Sequence, residues 1–251
     1  SYYGAVYWDV TDTVEVTAGV RYTDEDKKGH ITIPYIHSFV DALPFTLDQG
    51  DLIDGIDFDD QNTSPEVAVN WYVTEDISVF AAYKEGFKSG GVDNSALLSL
   101  SLSPANPEFP SSLLYQSEEA QGFEIGTKAK LLDGTLTLNA TAYQYDYSDL
   151  QIQNFDSGAI QFFTQNVSEM RTEGVEMDFH WLTPVEGLDI RGALAINSSE
   201  FTEDFFNEDG ESMRGEERER SSELTGFIGL TYDVGVSSNW RLSISTDARY
   251  N

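Results

Sequence analysis

Val14-Glu15-Val16-Thr17-Ala18-Gly19-Val20-Arg21-Tyr22-Thr23 alternates without a break. Val14, Val16, Ala18, Val20 and Tyr22 fall on one face of an extended chain, and Glu15, Thr17, Gly19, Arg21 and Thr23 fall on the other. Successive side chains of a strand point to opposite sides, so this period of two predicts a strand with one apolar and one polar face. The pattern returns at Val67, Val69, Trp71 and Val73, at Leu188, Ile190, Leu194 and Ile196, and at Leu224, Ile228, Leu230, Tyr232 and Val234. It closes the chain with Trp240, Leu242, Ile244, Thr246, Ala248 and Tyr250 against Arg241, Ser243, Ser245, Asp247 and Arg249. Such runs exceed the ~5–6 residues of globular strands and approach the ~9–11 with which a tilted strand crosses a bilayer.

Outward from these runs, ten strands are expected near 2–10, 13–23, 65–73, 77–87, 119–132, 135–152, 160–182, 188–199, 223–234 and 239–250. The seventh is overlong, and Met170 to Gly174 is the expected site of a bulge or bend. Short polar turns lie near Thr11-Asp12, Thr74-Glu75-Asp76, Asp133-Gly134, Thr183 to Gly187 and Gly235 to Asn239. Between them come long polar stretches, Asp24 to Thr63, Lys88 to Ser117, Asn154 to Ala159 and Phe201 to Ser222. Alternating tight and long connections describe an antiparallel up-and-down meander, plain at one end and elaborated at the other. The fold class is therefore all-β, an antiparallel up-and-down transmembrane β-barrel pattern of about ten strands. The four tryptophans, Trp8, Trp71, Trp181 and Trp240, each lie close to a short turn. An aromatic ring at one bilayer interface predicts that placement. The polar faces would then line a lumen.

Composition narrows the function. The chain has 251 residues, with Asp+Glu 44 against Lys+Arg 14 and a formal charge of −30. A nucleic-acid binder needs a basic footprint, so that class is excluded. With Cys 0 there is no disulfide scaffold, cysteine nucleophile or Cys-ligated zinc. No run approaches the ~20 apolar residues of a spanning helix. No nucleophile elbow, phosphate loop or dinucleotide fingerprint occurs, so no catalytic residue and no cofactor is assigned.

Three features invite chemistry. Asp48, Asp51, Asp54, Asp57, Asp59 and Asp60 share one loop. Their spacing does not match the calcium loop of an EF-hand, so they read as a solvated acidic stretch and no metal site is assigned. Glu203 to Glu223, with Glu216, Glu217, Arg218, Glu219 and Arg220, reads as a self-paired surface loop. His30 and His37 lie in the first long loop and His180 apart from them; the first two are candidate contacts to a metal chelate. Tyr143, Tyr145 and Tyr147 share parity with Thr137, Asn139 and Thr141, opposite Leu136, Leu138, Ala140 and Ala142. That turns the tyrosines toward the lumen near the loop end, where phenols can grip a ligand face. A bulge would turn them instead into an outer aromatic girdle.

Several of these strings together resemble TonB-dependent outer-membrane receptors. They are Tyr83-Lys84-Glu85-Gly86-Phe87-Lys88-Ser89-Gly90-Gly91, Phe123-Glu124-Ile125-Gly126-Thr127-Lys128 before Leu132-Asp133-Gly134, and Tyr143-Gln144-Tyr145-Asp146-Tyr147-Ser148-Asp149-Leu150-Gln151. Gly174-Val175-Glu176, Gly187-Leu188 and Ala18-Gly19-Val20-Arg21-Tyr22-Thr23 complete the series. The resemblance spans nearly the whole chain. It implies a 22-stranded barrel filled by an N-terminal plug with an energy-coupling TonB box ahead of it. Neither is visible and about ten strands cannot close that barrel, so the resemblance implies that residues 1–251 are a partial, internal piece of the barrel domain, about ten strands of a larger barrel, plug absent. It further implies the outer membrane of a Gram-negative bacterium, contact with outer-membrane lipid, and partnership with the inner-membrane TonB complex through the missing N-terminal region. The implied cargo is a ferric siderophore or similar iron complex, with cobalamin or an oligosaccharide as the alternatives within the family. The net charge argues mildly against a strongly anionic cargo. From a different class, a secreted calcium-dependent carbohydrate-binding β module would also suit the acidic loops.

Overall fold

The computed structural model describes residues 1–32, 35, 50–93, 111–157, 161–167, 169–206, 210–218 and 221–251. His37 and Asp48 lie outside the described residues, as do Glu219 and Arg220. Fourteen strands run through the described chain. The first seven are β1 Tyr2–Thr11, β2 Val14–Thr32, β3 Leu52–Tyr72, β4 Ile77–Lys88, β5 Gly91–Val92, β6 Leu114–Tyr115 and β7 Glu118–Leu131. The others are β8 Leu136–Ser148, β9 Leu150–Asp156, β10 Gln161–Val167, β11 Met170–Leu182, β12 Leu188–Phe201, β13 Leu224–Ser237 and β14 Trp240–Tyr250. Ten form one antiparallel sheet in the order β1-β2-β3-β4-β7-β8-β11-β12-β13-β14. Neighbours in chain order are neighbours in the sheet apart from two excursions, β5–β6 and β9–β10, which make small sheets of their own. β1 and β14 do not pair with each other, so the sheet does not close.

The register fixes both faces. The row Ala81, Ile125, Ala142, Val175 and Ile196 runs across β4, β7, β8, β11 and β12 on one side. The row Ser78, Lys128, Asn139, Asp178 and Ala193 runs across the same strands on the other. The apolar side is bare: Trp8 is 62% exposed, Trp71 51%, Phe123 66%, Ile125 58% and Ile196 53%. Apolar exposure continuous over ten strands has no place in water, and hydrocarbon is the solvent that fits it. All four tryptophans carry the parity of this side. Trp8 pairs with Val16, Trp71 with Val14, Trp181 with Leu136 and Trp240 with Ser237, so they line up along the short-turn end. At that end Gly187 adopts φ 80, and a Cβ there would collide with the Asp233 carbonyl oxygen. Only glycine makes this turn between β11 and β12.

Three expectations need correction at the opposite end. The stretch 24–63 is not mainly loop: β2 and β3 continue as a paired hairpin, with Asp24 opposite Gln61, Lys28 opposite Asp57 and Thr32 opposite Leu52. Its alternation was hidden because no lipid lies above the membrane to demand an apolar row. The overlong strand 160–182 is two, β10 and β11, and β11 pairs with β8 and β12 in unbroken register from Met170 to Trp181. There is no bulge at Met170–Gly174; the interruption falls between Val167 and Met170. The strand expected to run to Ile152 ends at Ser148, and Asp149 turns through φ 52 into β9.

A single-layer wall has little interior, and the packed core sits above it. Leu150, Val167, Met170 and Phe201 form one buried cluster with Tyr147, Ile152, Phe205 and Met213 against it. Ile53, Ile56 and Leu113 form a second, with Ile31, Val92 and Leu114 around it. Both lie where the described residues of the long connections meet the wall, so that part of the connections is folded structure.

Candidate functional site at the mouth of the lumen

The tyrosine ladder is where its parity placed it. β8 keeps continuous register with β7 and β11 from Leu136 to Tyr147, so no bulge turns it, and the three rings face the polar side. The backbone register opposes small residues to them. Tyr145 lies opposite Gly122, where an added Cβ would strike its ring, and Tyr143 hydroxyl lies 2.8 Å from where a Cβ on Gly174 would sit. The rings therefore fold down onto their glycine neighbours, with Tyr143 and Tyr145 centroids 6.3 Å apart at 48°.

The three differ in what holds them. Tyr145 hydroxyl donates to Glu124 Oε1 at 2.5 Å, and Lys84 Nζ reaches Glu124 Oε2 at 2.8 Å. Tyr147 packs on the buried cluster around Leu150 and Met170. Tyr143 is half-buried beside Tyr145. The same row continues along the wall. Tyr3 hydroxyl donates to Glu66 at 2.9 Å, Thr172 and Ser199 hydroxyls stand 3.0 Å apart, and Ser221 donates to Asn197 at 3.1 Å. A polar belt thus crosses the lumen wall just below the long connections. Lower down, Lys128 lies over the Phe80 ring at 5.9 Å, and Arg191 and Arg249 both lie over Phe227 at 5.6 Å. The lumen side consequently holds much of the chain's positive charge. The net charge of −30 therefore does not describe this wall.

Above the belt, three connections are tied together. Gln151, 9% exposed, donates through Nε2 to the carbonyls of Lys88 and Ser89 at 3.2 Å and of Gln116 at 3.0 Å. Its own N–H donates to Glu118 at 2.9 Å. Asn166, its partner across β9–β10, donates to the Gln116 carbonyl at 2.8 Å and accepts from the Gln116 N–H at 2.6 Å. Asp93 accepts from the Thr164 N–H, and Ser117 donates to Asp60. Lys27 Nζ, 5.5 Å from the Phe58 ring centroid, donates to Ser89 Oγ at 2.7 Å and to the Gly90 carbonyl at 2.8 Å. The same ammonium is 2.9 Å from Glu25, and with the Ser89 hydroxyl it holds that carboxyl below the ordinary carboxylate range. Hairpin β2–β3, the β4–β7 connection and the β8–β11 connection therefore form one cap.

Neither described histidine is brought to this place. His30 sits at the register shift between Gly29 and Ile31, exposed, and four strand spacings, roughly 19 Å, separate β2 from β8. His180 faces the lumen at the short-turn end, paired with Asp189. Among the described residues no group of three or more His, Asp or Glu is placed to hold a metal ion. Lys84, Glu124 and Gln151 escaped sequence reading, although each lies inside a quoted string. Parity alone turns Lys84 and Glu124 to the lumen, but their meeting depends on β4 and β7 pairing across a 29-residue interval.

A cross-strand wall with lipid on one side, a charged lumen on the other, and a folded cap at one end defines an outer-membrane barrel. The family described as TonB dependent receptor-like, beta-barrel, matches residues 1–251, and this chain belongs to it. The family is one of receptors rather than of enzymes, and its members reside in the outer membrane of Gram-negative bacteria. Among solved structures, the ferric yersiniabactin uptake receptor FyuA from Yersinia pestis is similar with a TM-score of 0.68 and 17% identity, over 96% of this chain and 32% of that one. The ferric-catecholate import receptor Fiu from E. coli K12 gives 0.66 and 18%, over 98% and 33%. The copper transporter OprC gives 0.65 and 15%, over 98% and 33%. The chain thus spans about a third of the length of the structures it matches. No protein with a curated description matches it in sequence.

Proposed function

We propose that this chain is part of the barrel of a receptor for energy-coupled uptake of a ferric siderophore or a similar iron complex. Other strands of the same polypeptide would close the barrel, a plug would fill it, and the inner-membrane TonB complex would move that plug. The observation that carries the reading is the lumen-facing belt of Tyr143, Tyr145, Glu124 and Lys84 beneath a folded cap. Such a mouth offers stacking faces, a cation and a carboxylate within one small area, which suits a chelate with aromatic or hydroxamate-like groups. Two of the similar folds belong to a ferric yersiniabactin uptake receptor and a ferric-catecholate import receptor, which favours iron over other cargo.

The test is radiolabelled iron uptake by cells expressing the receptor as their sole outer-membrane iron importer, with a panel of ferric chelates. Uptake of at least one chelate, abolished by deleting the receptor, is the expected result. Iron-independent growth on cobalamin or an oligosaccharide through this receptor, without chelate uptake, would replace iron with that cargo. Within the site, at least one of the three tyrosines is expected to contact the ligand. A triple Tyr→Ala receptor that inserts normally and keeps full uptake and affinity would remove that assignment.

A further inference from the structure

Arg191 faces the lumen near the short-turn end, opposite His180 on β11 and Gly229 on β13. Gly229 decides where its side chain lies. Phe227 Cζ and Arg191 Nε come within 3.0 Å and 3.1 Å of where a Cβ on Gly229 would sit, so ring and guanidinium both settle across that glycine. Arg249, directly opposite Phe227 on β14, approaches the same ring, and each guanidinium carbon is 5.6 Å from its centroid. Two like charges thus share one phenyl ring.

The carboxylates around Arg191 are engaged elsewhere. Asp189 is paired with His180, Asp178 accepts from Asn139 at 3.0 Å, and Asp247 lies 3.4 Å from Arg249 Nε. Among the described residues Arg191 forms no ion pair, and its neighbour is the ring. A ring face attracts the charge but accepts none of the in-plane N–H donors. Where water is excluded, those donors need an acceptor. Beside the ring lies a concavity of about 690 Å³, floored by Ala193 and Ala195, with Phe227 and Arg249 on one side and Glu176 and Asp178 on the other. An acidic side chain entering it is repelled by the Glu176 side and drawn to the arginines.

We infer, on the reading that a plug fills this barrel, that Arg191 and Arg249 form the seat for a carboxylate side chain of that plug. A carboxylate can accept two donors of one guanidinium at once, or bridge the pair. Phe227 already holds both guanidiniums, so little side-chain freedom is lost when the acid arrives.

The complete R191K receptor in isolated outer membranes tests this with a carbodiimide, which joins a lysine amine to a contacting carboxylate as an amide. Mass spectrometry then identifies the joined peptides, with Lys84 and Glu124, in contact at 2.8 Å, as the internal standard. The expected result is a cross-link from position 191 to an Asp or Glu outside residues 1–251. Should R191K not insert, R249K is read in the same way. In planar bilayers the unaltered receptor is expected to stay closed, and R191Q/R249Q to open at least about ten-fold more often in mild urea. Cross-links from position 191 only to Asp178, Asp189 or Asp247, or none while the standard forms, overturn the seat; with the pore closed, the receptor reading stands. An open pore in the unaltered receptor overturns both, because nothing then fills the lumen.

Discussion

Tyr143, Tyr145 and Tyr147 share one face of one strand and do different work. Tyr147 is part of the cap's core, so Tyr147→Ala is expected to cost about 2–3 kcal/mol of local stability, read as faster amide exchange across β9 and β10. Tyr143 has no such packing role, and Tyr143→Ala is expected to weaken ligand affinity about 5–10-fold with exchange in the cap unchanged. Equal effects of the two substitutions on the cap would contradict this division. Glu25 supplies a pH dependence. Its folded value lies below the ordinary one, so the Lys27 pairing contributes fully above pH ~4.5 and is lost as pH falls through the depressed value. Hairpin protection is therefore expected to drop under acid in the natural protein, and Glu25→Gln should remove that acid-dependent step. Parity made the tyrosines legible in the sequence. The pairing partners that separate their roles were not, because Glu124 and Met170 reach them only through the register of other strands.

Strands inside the membrane were legible because lipid imposes a period of two on every one of them. Strands outside it were not. The β2–β3 hairpin continues ten residues past Tyr22 on pairs such as Asp26 with Asp59, whose side chains no apolar solvent sorts. The β9–β10 hairpin likewise earns its place through Gln151 and Asn166, whose amides satisfy backbone carbonyls of another connection. Gln151→Ala would leave the Lys88 and Ser89 carbonyls short of a donor within a buried junction, while the Gln116 carbonyl keeps Asn166. The expected cost is about 2–3 kcal/mol, appearing as raised exchange and protease cutting in both the β4–β7 and β8–β11 connections. Loosening confined to β9–β10 would show that the cap is not one unit.

For the whole molecule, one acidic composition conceals two surfaces. Acid is concentrated in the connections and the distal hairpin, while Lys84, Lys128, Arg191 and Arg249 face the lumen beside their acids and aromatic rings. Net charge could exclude nucleic acid, which needs a basic footprint somewhere. It could not describe the lumen, since alternation hides which face each charge occupies until a register is known.

All of this depends on the wall having lipid on the Ala142 side and an aqueous lumen on the Tyr143 side. A nitroxide scan of positions 136–145 in the membrane-embedded receptor tests that directly, by relaxation with oxygen and with a water-soluble nickel chelate. Positions 136, 138, 140 and 142 should favour oxygen, and 137, 139, 141 and 143 should favour nickel, in strict alternation. A reversed phase, or no period of two, would contradict the account.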